Sequence, residues 1–142
     1  MSVNIKPARP FVVTILALAV LYVAAENFLR LVQSISLWDY LSGLLDFSPA
    51  YLTLSGLVWG GVCSWLAWGL WRGLPWAPRF MMWGFLFYSI YYWIDRLLLP
   101  GHTSRNINWV FTLILHSLLF IGIFWILSRQ KSRHYFGETY EH

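Results

Sequence analysis

Residues 107–127 read INWVFTLILHSLLFIGIFWIL, with no charged side chain among them. About 20 residues of helix, rising about 1.5 Å each, match the roughly 30 Å hydrocarbon core of a bilayer. Apolar side chains fall on every side of such a helix, which leaves no face for water. This stretch predicts a transmembrane helix, and it sets the solvent in which the rest of the chain must be read.

Three further stretches match it, at residues 11–31, 49–71 and 78–99. Each carries helix punctuation. Pro10, Pro49 and Pro78 sit at a first helical turn, where a missing N–H costs nothing. Ser48 is placed to cap the helix that follows it, and Ser104 the last one. Pro100-Gly101 stops the third. Of the 142 residues, 58% are hydrophobic and 11% charged, with a mean hydropathy of +0.56. Soluble domains carry about 25% charged residues, so this chain lacks the charge to solvate a globular surface. Its Trp and Tyr suit the membrane interface, where rings with a polar edge are at home. The expected fold class is all-α: an integral membrane four-helix bundle, one membrane domain over residues 1–142, with a polar tail at 128–142.

Lys and Arg fix the expected orientation. Lys6, Arg9, Arg72, Arg79, Arg129, Lys131 and Arg133 fall on one side of the four spans, and Arg30, Arg96 and Arg105 on the other. The richer side is cytoplasmic by the positive-inside rule, which puts both termini in the cytoplasm. The net charge of +4 flanks apolar runs and builds no basic face, so nucleic acid is not an expected partner. The apolar run 11–23 followed by Ala24-Ala25 also has the layout of a secretory signal. Cleavage before Glu26 would leave an odd number of spans, and the spanning reading is taken.

The connection at 32–47 carries Leu37, Tyr40, Leu41, Leu44 and Leu45 at helical spacing, with Asp39, Ser42, Gly43 and Asp46 opposite. This predicts a short amphipathic helix in the outer interface, between the first and second spans. The tail begins Arg129-Gln130-Lys131-Ser132-Arg133. Such basic residues after a span hold anionic headgroups, at about 1 kcal/mol each, and Tyr135 and Phe136 follow at interfacial depth.

Ionisable residues within spans are costly, so they are the first candidates for function. Glu26 and Arg30 stand one helical turn apart in the first span. Tyr88, Tyr91, Tyr92, Asp95 and Arg96 line part of the third, and Asn108, Thr112 and His116 part of the fourth. Together Glu26, Arg30, Asp95, Arg96, Thr112 and His116 predict either an outward polar pocket floored by His116 or a structural clamp. In both cases Glu26 and Asp95 are expected to point inward, because an unpaired carboxylate in hydrocarbon would sooner take up a proton.

His116 is the intramembrane histidine, which excludes a bis-histidine haem within one chain. One cysteine, Cys63, excludes an intrachain disulfide and a cysteine-based zinc site. No metal and no cofactor are expected. In the second span Gly56 and Gly60 form a small-xxx-small pair that Ser64 extends, a pattern that lets helix backbones approach in lipid.

Ala24-Ala25-Glu26 resembles the glutamate region of the small multidrug transporters, which also have four spans and an essential glutamate in the first. The likeness covers three residues. Here Glu26 lies toward the outer edge, Arg30 stands one turn away, and the strong charge bias sets a single orientation where that family is associated with two. The leading expectation is therefore a non-enzymatic membrane protein, a structural, accessory or assembly subunit whose partners are the lipid bilayer and another membrane protein or a second copy. The alternatives are a small transporter or binding protein for an apolar or cationic solute, and an intramembrane enzyme acting on a lipid or quinone with His116 as acid or base.

Overall fold

The Ser48 hydroxyl accepts a hydrogen bond from the Ala50 N–H at 3.3 Å, so the helix that begins at Pro49 is capped where the sequence places its cap. A computed structural model describes residues 9–44, 48–98 and 108–137. Among the described residues six α-helices follow in order: α1 (Phe11–Ser36), α2 (Trp38–Leu44), α3 (Pro49–Arg72), α4 (Ala77–Leu98), α5 (Trp109–Ser128) and α6 (Gln130–Tyr135). No strand occurs among the described residues. By length and composition α1, α3 and α5 can each cross a membrane. Helix α4 is as long, but Arg79, Asp95, Arg96 and its many Tyr and Trp make it less apolar.

Helix α1 runs to Ser36, five residues past the expected end of the first span. Nothing in Val32-Gln33-Ser34-Ile35-Ser36 breaks a helix, and the ladder carries on: Leu37 N–H donates to the Gln33 carbonyl, and Leu41 N–H to that of Leu37. The expected short helix forms as α2, which has no buried residue. Leu45, Asp46 and Phe47 lie outside the described residues, as do Lys6, Pro100, Gly101, Ser104 and Arg105. The N-cap position of α5 is Asn108.

The chain divides into two compact units, Thr14–Arg72 and the described parts of Met1–Val13 with Gly73–His142. In the first, α1 and α3 run antiparallel. Ala17, Val20, Ala24, Asn27 and Ser34 are buried along α1, with Leu31 half-buried between them. Gly56, Gly60, Cys63, Ala67 and Leu70 are buried along α3, with Thr53 half-buried. Both series alternate steps of three and four residues, the 3.5-residue repeat that keeps one face of a helix on its partner. In antiparallel register they match pairwise, from Ser34 with Thr53 down to Ala17 with Leu70. The Ser34 and Thr53 hydroxyls lie 2.9 Å apart. A Cβ built on Gly56 would meet the Asn27 carbonyl oxygen at 2.8 Å, and one on Gly60 the Phe28 ring at 3.0 Å. Ser64, the third member of the sequence pattern, is half-buried.

The second unit pairs α4 with α5, also antiparallel, through aromatic rings. Phe85 lies 6.0 Å from Phe120, and two turns along α4 Tyr92 lies 5.1 Å from His116. Arg129 takes an extended conformation between α5 and α6, and its guanidinium sits 3.8 Å over the Trp125 ring. The tail, which reads as a polar stop, thus contains a further helix. That helix is anchored by Phe136, 1% exposed, and by Tyr135 packed on Gly73, where a Cβ would meet the ring at 2.7 Å. Gly73 and Gly137 hold positive φ; they follow α3 and α6 in the position that favours glycine at helix ends.

Candidate functional site

Thr112 and His116 stand one turn apart on α5, and both bond back to their own helix. The Thr112 hydroxyl donates to the Asn108 carbonyl at 3.0 Å, and His116 Nδ1 lies 2.9 Å from the Thr112 carbonyl. A carbonyl only accepts, so Nδ1 carries the proton. In the neutral ring the lone pair is then on Nε2. Such back-bonds satisfy polar side chains where no water is at hand.

The α4 face opposite His116 is aromatic. Tyr92 is tilted 31° to the imidazole, and Phe85 lies on its other side at 6.1 Å. Arg96 Nη1 donates to the Tyr92 hydroxyl at 3.0 Å. The antiparallel register that sets Tyr92 beside His116 sets Arg96 level with Thr112. Asp95, Arg96, Thr112 and His116 are all half-buried. Four of the residues singled out in the sequence thus belong to one unit; Arg96 and His116 meet through Tyr92, and Thr112 is tied to His116 through its backbone carbonyl. The chemistry available is one imidazole with a defined tautomer, a phenol polarised by a guanidinium, and an apolar ring wall.

Glu26 and Arg30 belong to the unit Thr14–Arg72. The Glu26 carboxylate accepts a hydrogen bond from the Tyr22 hydroxyl, one turn back on the same helix, and both side chains are exposed. Glu26 was expected to face inward. The inward position on that turn is taken by Asn27, 5% exposed, whose side-chain amide donates to the Val23 carbonyl at 2.8 Å. A buried amide bonded to its own helix fits the close seam, and the neighbouring carboxylate turns outward. Arg30 is half-buried.

Among the described residues no three His, Cys, Asp or Glu side chains group closely enough to hold a metal ion. The sequence reading missed Asn27, Ser34 and Thr53 as the polar members of the α1–α3 seam. The 3.5-residue spacing of Asn27 and Ser34 with Ala17, Val20 and Ala24 was the signal available for them. No protein-family model, curated protein sequence or solved structure matches this chain.

Proposed function

We propose that the chain is an integral membrane protein with four transmembrane helices and cytoplasmic termini, acting as a non-enzymatic structural or assembly subunit of a membrane complex. The observation that carries this reading is the surface of α5. Of its residues only Ile123 and Leu127 are buried, while Phe111, Leu118, Ile121, Phe124 and Trp125 are each more than half exposed. A helix apolar all round belongs in hydrocarbon, and so broad an apolar side is what a second membrane protein or a second copy would cover. Support for α4 as the fourth span comes from its length, about 33 Å at 1.5 Å per residue, and from its antiparallel packing along α5. A helix lying flat in the interface would cross α5 at one level only. The Lys and Arg distribution supports the orientation.

The test combines topology and partnership. Engineered cysteines at Ser2 and Thr139 should resist an impermeant reagent added outside, and one at Ser42 should react; labelling of Thr139 sinks the orientation. A photoreactive residue at Leu118 should crosslink to one membrane protein, or to a second copy, in stoichiometric yield in mild detergent. A chain that stays monomeric and crosslinks only to lipid sinks the subunit reading.

A second reading, a small transporter or binding protein for an apolar or cationic solute, is favoured by the His116–Tyr92–Arg96 arrangement. There His116→Phe keeps the ring packing and removes the Nε2 acceptor. On this reading the variant should keep its melting temperature and lose bound solute, as read by mass spectrometry of the extracted protein.

A further inference from the structure

His116 is the eighth of the 20 residues of α5, so it stands about 4 Å along the axis from the middle of that helix. The bond from Nδ1 to the Thr112 carbonyl leaves the second ring nitrogen as an acceptor. Among the described residues nothing donates a hydrogen bond to Nε2. The side chain is half-buried, and Nε2 is not one of the atoms sealed inside the molecule. The rings of Tyr92 and Phe85, at 5.1 and 6.1 Å, pack on the imidazole and limit its rotation. In a bilayer this is a fixed lone pair at a depth where water does not serve as its partner.

One ring nitrogen bonded to a carbonyl and the other left open is the arrangement of a metal-ligating histidine, because the bond fixes the tautomer and raises the basicity of the open nitrogen. A bare metal ion does not suit the place. Such an ion takes three or four protein ligands, and no three His, Cys, Asp or Glu side chains group together among the described residues. A metal held by one imidazole must bring its other donors with it. A tetrapyrrole does so, with four nitrogens in a plane and an axial position that a neutral imidazole fills. Its flat apolar ring also needs apolar surface beside the histidine. Leu113, Leu119 and Phe120, within one turn of His116 on the same helix, are exposed. From Leu113 to Phe120 is about 10 Å along the axis, comparable to the width of the macrocycle. Helix α5 carries no Asp, Glu, Lys or Arg along its whole length.

We infer that His116 is the axial ligand, through Nε2, of a metal tetrapyrrole seated against the apolar side of α5. Coordination forms one bond from Nε2 to the metal, breaks none in the protein and leaves the Nδ1 proton on the Thr112 carbonyl. One chain supplies one axial ligand, which agrees with the exclusion of a bis-histidine haem within a single chain. The inference rests on the membrane reading above and gives the proposed subunit a cofactor to carry. The sequence alone points to no cofactor, because it shows neither the tautomer of His116 nor its open nitrogen.

The experiment titrates the full chain in neutral detergent with haemin, zinc protoporphyrin and metal-free protoporphyrin, followed by absorption spectroscopy. The wild type should bind a metalloporphyrin at one per chain, and the metal-free ring much more weakly. Haemin and zinc protoporphyrin distinguish an iron site from one for a metal that undergoes no redox change. His116→Phe keeps a ring against Tyr92 and Phe85 and should keep its melting temperature. Its affinity should fall by more than about 100-fold, the upper range for losing even an outer partner of a metal ligand. His116→Gly should regain the metalloporphyrin when imidazole is added, which guards against a variant that merely misfolds. With haemin, resonance Raman of the reduced wild type should show the iron–imidazole band, and His116→Phe should lack it. Three outcomes overturn the site: no stoichiometric binding of either metalloporphyrin, equal binding of the metal-free ring, or wild-type affinity in His116→Phe. Loss of an endogenous apolar solute from His116→Phe, with no metalloporphyrin bound by the wild type, would also overturn it while keeping a binding role for His116. Extraction of the chain from membranes by alkaline carbonate would overturn the membrane reading itself, an outcome separate from the titration.

Discussion

Gly56 lies so close to Asn27 that a single added carbon would stand 2.8 Å from the Asn27 carbonyl oxygen and 3.0 Å from the Leu31 nitrogen. The contact is backbone against backbone, one turn of α3 against one turn of α1. At that separation the Gly56 Cα hydrogen on this side points toward a carbonyl, a weak but recurrent contact between closely packed helices.

Gly60, one turn on, meets the edge of the Phe28 ring. A ring can rotate aside and a backbone cannot. Gly56→Ala should therefore destabilise more than Gly60→Ala, with Gly56→Ala costing about 1–3 kcal/mol as overpacking does. Reversible unfolding in mixed micelles measures both. Equal costs would mean that α1 and α3 are free to move apart at this level.

The Ser34 and Thr53 hydroxyls lie 2.9 Å apart across the two helices, and each is also within reach of a carbonyl of its own helix, Leu31 for Ser34 and Pro49 for Thr53; with one proton each, one hydroxyl donates to the other, which in turn donates to its own helix. Removing one partner leaves the other satisfied. A double-mutant cycle with Ser34→Ala and Thr53→Val should give a coupling of about 0.6 kcal/mol, the average for interhelical hydrogen bonds in membranes. A coupling above about 2 kcal/mol would contradict the local back-bonding.

Glu26 is exposed and bonded to Tyr22 of its own helix. Glu26→Gln keeps an acceptor for that hydroxyl, so melting in detergent should correspond to a change within about 0.5 kcal/mol of the wild type, as for surface substitutions. A large loss would return Glu26 to the role of an inward clamp.

Tyr135 on α6 is pushed above its ordinary pKa by burial, with Arg9 partly opposing. Its folded-state value exceeds its unfolded one, so the neutral phenol stabilises the fold fully below about pH 10, the unfolded value. That contribution is lost as pH rises through the higher folded value. Tyr135→Phe cannot ionise and should lose less stability than the wild type between neutral and strongly alkaline pH. Parallel alkaline melts compare the two; identical slopes would show that the phenol ionises as easily in the fold as out of it.

Much of the molecule follows from its sequence alone. The apolar stretches 11–31, 49–71 and 109–127 are helical, and such stretches are long and apolar enough to cross a membrane, where a backbone must satisfy its own hydrogen bonds. Ser48 and Pro49 set where α3 begins. The spacing of Gly56 and Gly60 marks a face without side chains, and only a second helix can use such a face. What the tertiary structure decided is which sides of the helices meet. Along so apolar a stretch of α1, Ala17, Val20 and Ala24 are no more hydrophobic than their neighbours, and hydrophobicity alone favours burial of none of them over another. Fit decided it: the small residues of α1 are the ones that let Asn27 and Leu31 reach the Gly56 backbone. The same close fit turned Asn27 inward and Glu26 outward. Tertiary contact likewise made α6, since a six-residue segment has too little local stability to form a helix alone. It forms where Tyr135 rests on Gly73 and Phe136 is buried, contacts made across more than fifty residues of chain.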